Sequence, residues 1–178
     1  VEARIPQGRT FFFAWSGDGE RVALSWGANL SILDARAGTA IREIPMRWGR
    51  PVALNADGST VAIAIEPGIR LFDVATGVEA EPIVAETLER IAWHPEGSRI
   101  AATSRSAFRI WDVERKHPVF SIPEFRGAFA WSPDGRSLAL AANAGPAWVL
   151  DADRSALRDP TVRGADGRVR RFPGDAHG

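Results

Sequence analysis

Histidines are the first residues of this sequence whose side chains could do chemistry, because imidazole binds metals and transfers protons. The sequence has three of them, His94, His117 and His177. Metal sites draw paired ligands from short, characteristic spacings, and these three residues are too widely separated to match one. We therefore predict that the histidines occupy turns or the surface, and we expect no metal.

Four aspartates recur every 39 residues and look like a set of catalytic acids. Each one ends a short apolar run, so each belongs to a separate copy of a repeated element. Acids placed in this way would be spread around a ring and would not converge on one substrate. A structural role at the ends of strands is favoured over catalysis. The four residues are Asp34, Asp73, Asp112 and Asp151.

Motifs for nucleophilic catalysis and for phosphate binding are also missing. Ser16 and Ser132 lie outside any Gly-x-Ser-x-Gly elbow, and no glycine-rich phosphate loop precedes a helical pattern. The sequence has no cysteine, which excludes disulfides, thiolate metal sites and cysteine nucleophiles. We expect no catalytic residue, no cofactor and no enzyme activity.

Charge and hydropathy narrow the classes of partner. The 22 basic and 22 acidic residues cancel, so nothing attracts the chain to nucleic acid. No apolar run approaches the roughly 20 residues of a membrane helix, so membrane insertion is not expected. All but one of the basic residues are arginine, which indicates a GC-rich, bacterial coding background. Location stays open, with the cytoplasm favoured over the periplasm.

Three markers in one register show that the sequence is an internal repeat. The first is the spaced aspartates, and the second is an isoleucine at 5, 44, 83 and 122, again every 39 residues. The third is a turn that follows Ala and a large apolar residue and closes with glycine. The closing glycines are Gly19, Gly58, Gly97 and Gly135.

Short alternating runs after each turn predict β-strands, as in Arg21 to Leu24 and Ser137 to Leu140. No segment keeps helical periodicity for long enough to predict a helix. Each repeat is expected to hold four short strands, which makes the fold class all-β. Such units bury their faces by stacking around an axis, so we predict β-propeller blades, four four-stranded antiparallel repeats.

The repeat resembles the WD40 family. Trp111-Asp112 matches the signature dipeptide of that family, Trp131 to Gly135 its strand and turn, and Phe72 to Gly77 its following turn. The resemblance covers about residues 1–162 and implies a rigid interaction scaffold. The near alternative is the TolB type of propeller, whose repeats carry a similar Trp-Ser-Pro-Asp-Gly turn.

The sequence departs from the WD40 pattern in three ways. Only one copy has Trp-Asp, and the Gly-His pair that opens a typical repeat is missing from all four. The Asp that is usual in the turn before the third strand is absent too. The family uses His, Asp and Trp in a buried hydrogen-bond network inside the blade. Without that network, the blades are expected to be held together mainly by apolar packing.

The register predicts where each copy begins and ends. Residues 1–6 match the last strand of a preceding blade, which favours a partial arc of a larger propeller over a closed four-blade ring. Residues 163–178 are a tail or the start of a further blade, and the remaining blades of the parent chain are expected partners. The four predicted blades are residues 7–46, 47–85, 86–123 and 124–162.

Loops that precede the first strand of each blade are the candidate partner-binding rim. In WD40-like propellers these loops lie on one face, often the one that binds partners. The loop with Trp48 between arginines has the composition of a binding hot spot. The alternative is that Trp48 packs on the neighbouring blade while the arginines are merely solvated. The candidate residues are Arg9, Arg47, Trp48, Arg50 and Arg126.

The function expected from these observations is a non-catalytic scaffold that binds a protein or peptide. The resemblance implies that the blades belong to a larger bacterial multidomain protein of a signalling kind. Two alternatives remain open at this point. The propeller could be part of an enzyme such as a hydrolase, or a TolB-like component of the cell envelope.

Overall fold

The computed structural model describes residues 11–143, 147–152, 161–164 and 169–171. Those residues form strands and turns, and none of them lies in a helix. Within this described part, nothing is helical, long and apolar enough to cross a membrane. The chain divides into an N-terminal unit, Val1–Trp93, and a C-terminal unit, His94–Gly178.

Every sheet is antiparallel, and its strands are neighbours in the order of the chain. The first sheet consists of β1 (Phe11–Trp15), β2 (Arg21–Trp26), β3 (Asn29–Asp34) and β4 (Ala40–Pro45). The second sheet consists of β5 (Val52–Leu54), β6 (Thr60–Ile65), β7 (Gly68–Asp73) and β8 (Ile83–Val84).

The third sheet consists of β9 (Leu88–Trp93), β10 (Arg99–Ser104), β11 (Ala107–Asp112) and β12 (Pro118–Pro123). The fourth sheet consists of β13 (Gly127–Trp131), β14 (Ser137–Ala142), β15 (Ala147–Asp151), β16 (Thr161–Gly164) and β17 (Val169–Arg171). The prediction of an all-β chain of antiparallel four-stranded sheets is confirmed, and the fourth sheet has one strand more.

The fifth strand, β17, lies in the stretch 163–178, which was predicted as a tail or the start of a further blade. It pairs with β16, with Val162 opposite Arg170. Three residues are too few to show an alternating pattern, so the sequence alone did not reveal this strand. The predicted strand of residues 1–6 lies outside the described residues.

The turn between the first two strands of each sheet is set by a polar side chain that caps it. Ser16 Oγ accepts from the Arg21 N–H at 2.9 Å, and Ser132 Oγ accepts from the Ser137 N–H at 2.9 Å. Asn55 Oδ1 accepts from the Thr60 N–H at 2.9 Å. The closing glycines all have positive φ, where the lack of a Cβ removes the steric cost.

Aspartates inside these turns predict how stability depends on pH. The pKa values of Asp18, Asp57 and Asp134 are lowered, first by hydrogen bonds from the side chains of Ser16, Ser59 and Ser132. A folded pKa below the usual 3.8 gives stability that is present above that value and is lost as pH falls through the folded pKa.

A triple variant, in which Asn replaces Asp18, Asp57 and Asp134, should therefore melt at a lower temperature than the parent at neutral pH. On acidification its melting temperature should fall less than that of the parent. Thermal unfolding followed between about pH 7 and about pH 2 measures this difference. An identical acid loss in parent and variant would show that these carboxylates do not contribute.

Each unit has its own apolar core between two sheets. In the N-terminal unit Ala23, Leu30 and Ile32 of the first sheet pack with Val61 and Ile63 of the second sheet. In the C-terminal unit the corresponding cluster is centred on Phe108 and includes Leu138, Leu140 and Leu150 of the fourth sheet.

Candidate functional site

The candidate rim is built by one contact that recurs in three sheets. In each of these sheets, the residue directly after the fourth strand donates its N–H to a carbonyl in the turn between the second and third strands. The connector to the next sheet therefore lies beside that turn. The bonds are Met46 to Ala28 at 2.7 Å, Ala85 to Pro67 at 2.9 Å and Glu124 to Ser106 at 2.7 Å.

The connector Met46 to Arg50 is fixed at both ends and carries Trp48 at its centre. At one end Met46 bonds to Ala28, and at the other the Arg50 N–H donates to Ser25 Oγ at 2.8 Å. The Ser25 side chain is fully buried, so this anchor is rigid. Trp48 is 70% exposed. Most of the Trp48 side chain is therefore open to solvent and is not packed on another sheet.

Two of the predicted arginines share this connector. Arg47 is exposed and Arg50 is half-buried. The buried Nε atom of Arg50 has no hydrogen-bond partner among the described residues. Trp48 and these two arginines thus form one contiguous segment.

The remaining predicted residues do not join that segment. Arg126 lies in the C-terminal unit, where it is exposed between β12 and β13 and its carbonyl accepts from the Asn143 N–H at 2.8 Å. Its neighbour Phe125 is buried and meets Phe108 edge-on at 5.8 Å. That connector therefore serves the core, in contrast to the one with Trp48. Arg9 lies outside the described residues.

Three of the four spaced aspartates cap turns, and the residues that follow the fourth, Asp151, from 153 to 160 lie outside the described part of the chain. Asp34 Oδ1 accepts from the Ala37 N–H at 2.6 Å, and Asp73 Oδ1 accepts from the Thr76 N–H at 2.7 Å. Asp112 Oδ1 accepts from the Arg115 N–H at 2.8 Å, which is also the main cause of its lowered pKa. Each of these three carboxylates accepts a backbone hydrogen bond within its own turn, as expected for a structural role at the end of a strand.

His94 lies at the start of its turn, as predicted, and its side chain is buried. Its Nδ1 accepts from the Glu96 N–H at 3.1 Å, so Nε2 carries the proton and donates to the Gly135 carbonyl at 2.9 Å. The ring also stands edge-on to Trp131 at 4.7 Å. His117 is exposed, and His177 lies outside the described residues. Across the described residues, no group of potential ligands could hold a metal.

Long polar side chains also link neighbouring sheets, which the expectation of mainly apolar packing missed. Arg21 Nη1 donates to the Gly58 carbonyl at 2.8 Å in the N-terminal unit. In the C-terminal unit Arg99 Nη1 donates to the Ala152 carbonyl at 2.9 Å. Each donor reaches a turn or strand end of the following sheet, a contact that spacing within one repeat cannot reveal.

No family model matches the sequence, and no curated protein matches it. Solved structures do. The chain of Kuenenia stuttgartiensis hydrazine synthase superposes with a TM-score of 0.65 and 19% identity, over 97% of this chain and 51% of that one. The Cps50 (Swd1) β-propeller domain from Myceliophteria thermophila superposes with a TM-score of 0.70 and 14% identity, over 97% of this chain and 67% of that one.

At such low identity these similarities show the fold alone. The chain spans about half the length of the hydrazine synthase chain, so nothing of that protein's activity carries over. The antiparallel sheets and the similarity to a propeller domain agree with each other. The chain is therefore built of β-propeller blades.

Proposed function

We propose that this chain is a non-catalytic, WD40-like scaffold that binds a protein or peptide through the connector Met46 to Arg50. The single observation that carries the proposal is the 70% exposed Trp48 on a backbone anchored at both ends. An aromatic side chain on a fixed backbone loses little conformational entropy on binding, so most of its buried area contributes to affinity.

The flanking arginines suggest the chemistry of the partner. Arg47 is exposed, and a guanidinium pairs with carboxylates through two parallel hydrogen bonds. A peptide with an apolar side chain for Trp48 and a neighbouring Asp or Glu for Arg47 would therefore fit this connector.

The WD40-like part of the proposal rests on the dipeptide Trp111-Asp112. Trp111 is 2% exposed, and Asp112 caps the turn that follows it. In this proposal the blades belong to a larger bacterial signalling protein in the cytoplasm. The gene on both sides of this sequence tests the proposed larger signalling protein, which predicts further 39-residue copies or a kinase motif set. A signal peptide would contradict the proposed cytoplasmic location.

Selection of peptides from a displayed random library against the chain tests the binding site. For the tightest binders, Trp48→Ala should weaken affinity roughly thirtyfold or more, which is the effect of removing an aromatic hot spot. Arg47→Ala should weaken it about fivefold, as expected for an exposed charge pair. Isothermal titration calorimetry measures both.

Val84→Ala is the control, since Val84 on β8 is an apolar residue with a similar exposure, 74%, outside the connector. It should leave affinity unchanged. If every selected peptide binds the Trp48→Ala variant as tightly as the parent, the connector is not the binding site.

A further inference from the structure

The connector Met46 to Arg50 begins with the side chain of this sequence that a mild oxidant attacks first. Met46 is the only methionine, and the sequence has no cysteine. Thioethers and thiols are the side chains that peroxides oxidise most readily, and a methionine thioether becomes a sulfoxide. Mild oxidation of the chain would therefore act first at one residue, two positions before Trp48.

The Met46 side chain helps to hold this connector on the N-terminal unit. It packs against the apolar cluster of that unit, which includes Leu30 and Ile32. Its backbone N–H donates to the Ala28 carbonyl at 2.7 Å. Met46 is half-buried, whereas Leu30 and Ile32 are both 0% exposed. A small peroxide molecule can therefore reach Met46 while the unit is folded.

The corresponding connector of the C-terminal unit is held to its core by a different residue. In the repeat register Met46 corresponds to Glu124, which is exposed and has a φ of 58°. The next residue, Phe125, is buried in the apolar cluster of that unit. The residue after Met46, in contrast, is the exposed Arg47. A polar first residue thus goes with a connector that faces solvent at that residue and turns its second residue inward.

Oxidation makes the first residue of the Met46 connector polar. The sulfur lone pair attacks one oxygen of hydrogen peroxide, the O–O bond breaks, and the other oxygen leaves as water. The sulfur loses two electrons, and the peroxide gains them. The new S=O group is a hydrogen-bond acceptor, and burying it among apolar side chains is unfavourable. The oxidised side chain should therefore leave the cluster for solvent, where the side chain of Glu124 already lies.

From these observations we infer that Met46 is a redox modification site whose sulfoxide releases the connector from the core and weakens binding at Trp48. The effect on binding rests on the proposed function. After oxidation the Arg50 N–H still donates to Ser25, but the other end of the connector has lost its packing. A loop held at one end loses more conformational entropy when it binds a peptide.

The modification is reversible by known chemistry. A thiol-dependent methionine sulfoxide reductase removes the oxygen as water, while two thiols of the reductant become a disulfide. The reduced Met46 side chain can then pack on the apolar cluster again. Oxidation and reduction would thus switch the connector between a loose and a fixed state.

Peptide mapping by mass spectrometry, after treatment of the folded chain with hydrogen peroxide, tests the site. We expect one added oxygen atom on Met46 and none on Trp48. Hydrogen exchange should then be roughly tenfold faster in the connector, while β3 and β6 keep their protection. This arm uses no bound peptide, so its result does not depend on the proposed function.

Isothermal titration calorimetry with the selected peptides tests the effect on binding. Peroxide treatment should weaken their affinity about tenfold, the effect of restoring freedom to a few side chains and their backbone. Methionine sulfoxide reductase with a dithiol should restore the affinity of the untreated chain. Failure to select any peptide would count against the proposed function, and the exchange measurement would still decide whether oxidation releases the connector.

Two variants separate Met46 from other oxidised residues. Met46→Leu keeps an apolar side chain of similar volume but has no sulfur. Its hydrogen exchange and its peptide affinity should be the same before and after peroxide treatment. Met46→Gln places a polar amide at this position, so without any oxidant its connector should exchange as fast as that of the treated parent.

Four outcomes would overturn the inference. The first is a Met46 that stays reduced in the folded chain while a synthetic peptide of residues 42–52 is oxidised. The second is a sulfoxide at Met46 with unchanged exchange in the connector, or with protection lost throughout the N-terminal unit. The third is faster exchange with unchanged affinity for peptides whose binding requires Trp48. The fourth is a Met46→Leu chain that responds to peroxide as the parent does.

Discussion

Gly135→Ala should lower the free energy of unfolding by roughly 3 kcal/mol, as the sum of two costs. Gly135 has φ +71°, which an alanine adopts at a cost of about 1–2 kcal/mol. An added Cβ would also stand 2.5 Å from the ring of His94, which Trp131 and a hydrogen bond hold in place. Overpacking of this kind costs about 1–3 kcal/mol more.

Gly97→Ala is the matched control for this effect. Gly97 closes the equivalent turn of the third sheet with φ +77°, and nothing lies within 4 Å of its added Cβ. Gly97→Ala should therefore lower the free energy of unfolding only by the backbone cost, about 1–2 kcal/mol. Urea unfolding of both variants measures the difference. Equal losses would mean that His94 does not press against this turn.

Phe108→Ala should have an effect of similar or greater size, about 3–5 kcal/mol. Phe108 is fully buried. Its ring meets three others edge-on, those of Phe120 at 6.3 Å, Phe125 at 5.8 Å and Phe129 at 5.1 Å. Removing it leaves a cavity that three large rings cannot fill without leaving their rotamers.

The unfolding free energy of Phe108→Ala should be compared with that of Trp48→Ala. Trp48 is a larger aromatic residue, but it is 70% exposed, so its loss should change stability by less than about 0.5 kcal/mol. A destabilised Trp48→Ala variant would contradict the description of Trp48 as a display residue. A stable Phe108→Ala variant would contradict the description of the C-terminal core.

The sheets were predictable because the same short-range sequence pattern recurs in each copy of the repeat. The runs after the turns became β2, β6, β10 and β14, and the turn glycines took the positive φ that closes these hairpins. The isoleucine marker fell in β4, β8 and β12, as predicted for the described copies. Patterns of a few residues suffice for such elements because their bonds are local.

Contacts between copies were not predictable in the same way. His94 occupies the place of Ser16 and Ser132, and its Nδ1 likewise accepts a hydrogen bond within its own turn, but its Nε2 also reaches the carbonyl of Gly135, 41 residues away. One signal was available, since a histidine in a position otherwise held by Ser or Asn is long enough to reach beyond its own turn. The same holds for Arg21, whose partner Gly58 lies 37 residues on.

The candidate site was predictable in composition but not in geometry. Trp48 and its flanking arginines were identified from residue type alone. Whether Trp48 faced a neighbouring blade or solvent depended on the anchors at Ala28 and Ser25, which belong to the preceding sheet. A single sequence does not reveal these contacts between the connector and the preceding sheet.

The most direct test of the proposed binding site is a hydrogen-exchange footprint of a selected peptide on the parent chain. We expect added protection in the connector Met46 to Arg50 and in the adjoining turn at Ala28, with the outer strand β8 unchanged. Added protection at β8, or anywhere else with none in the connector, would contradict it.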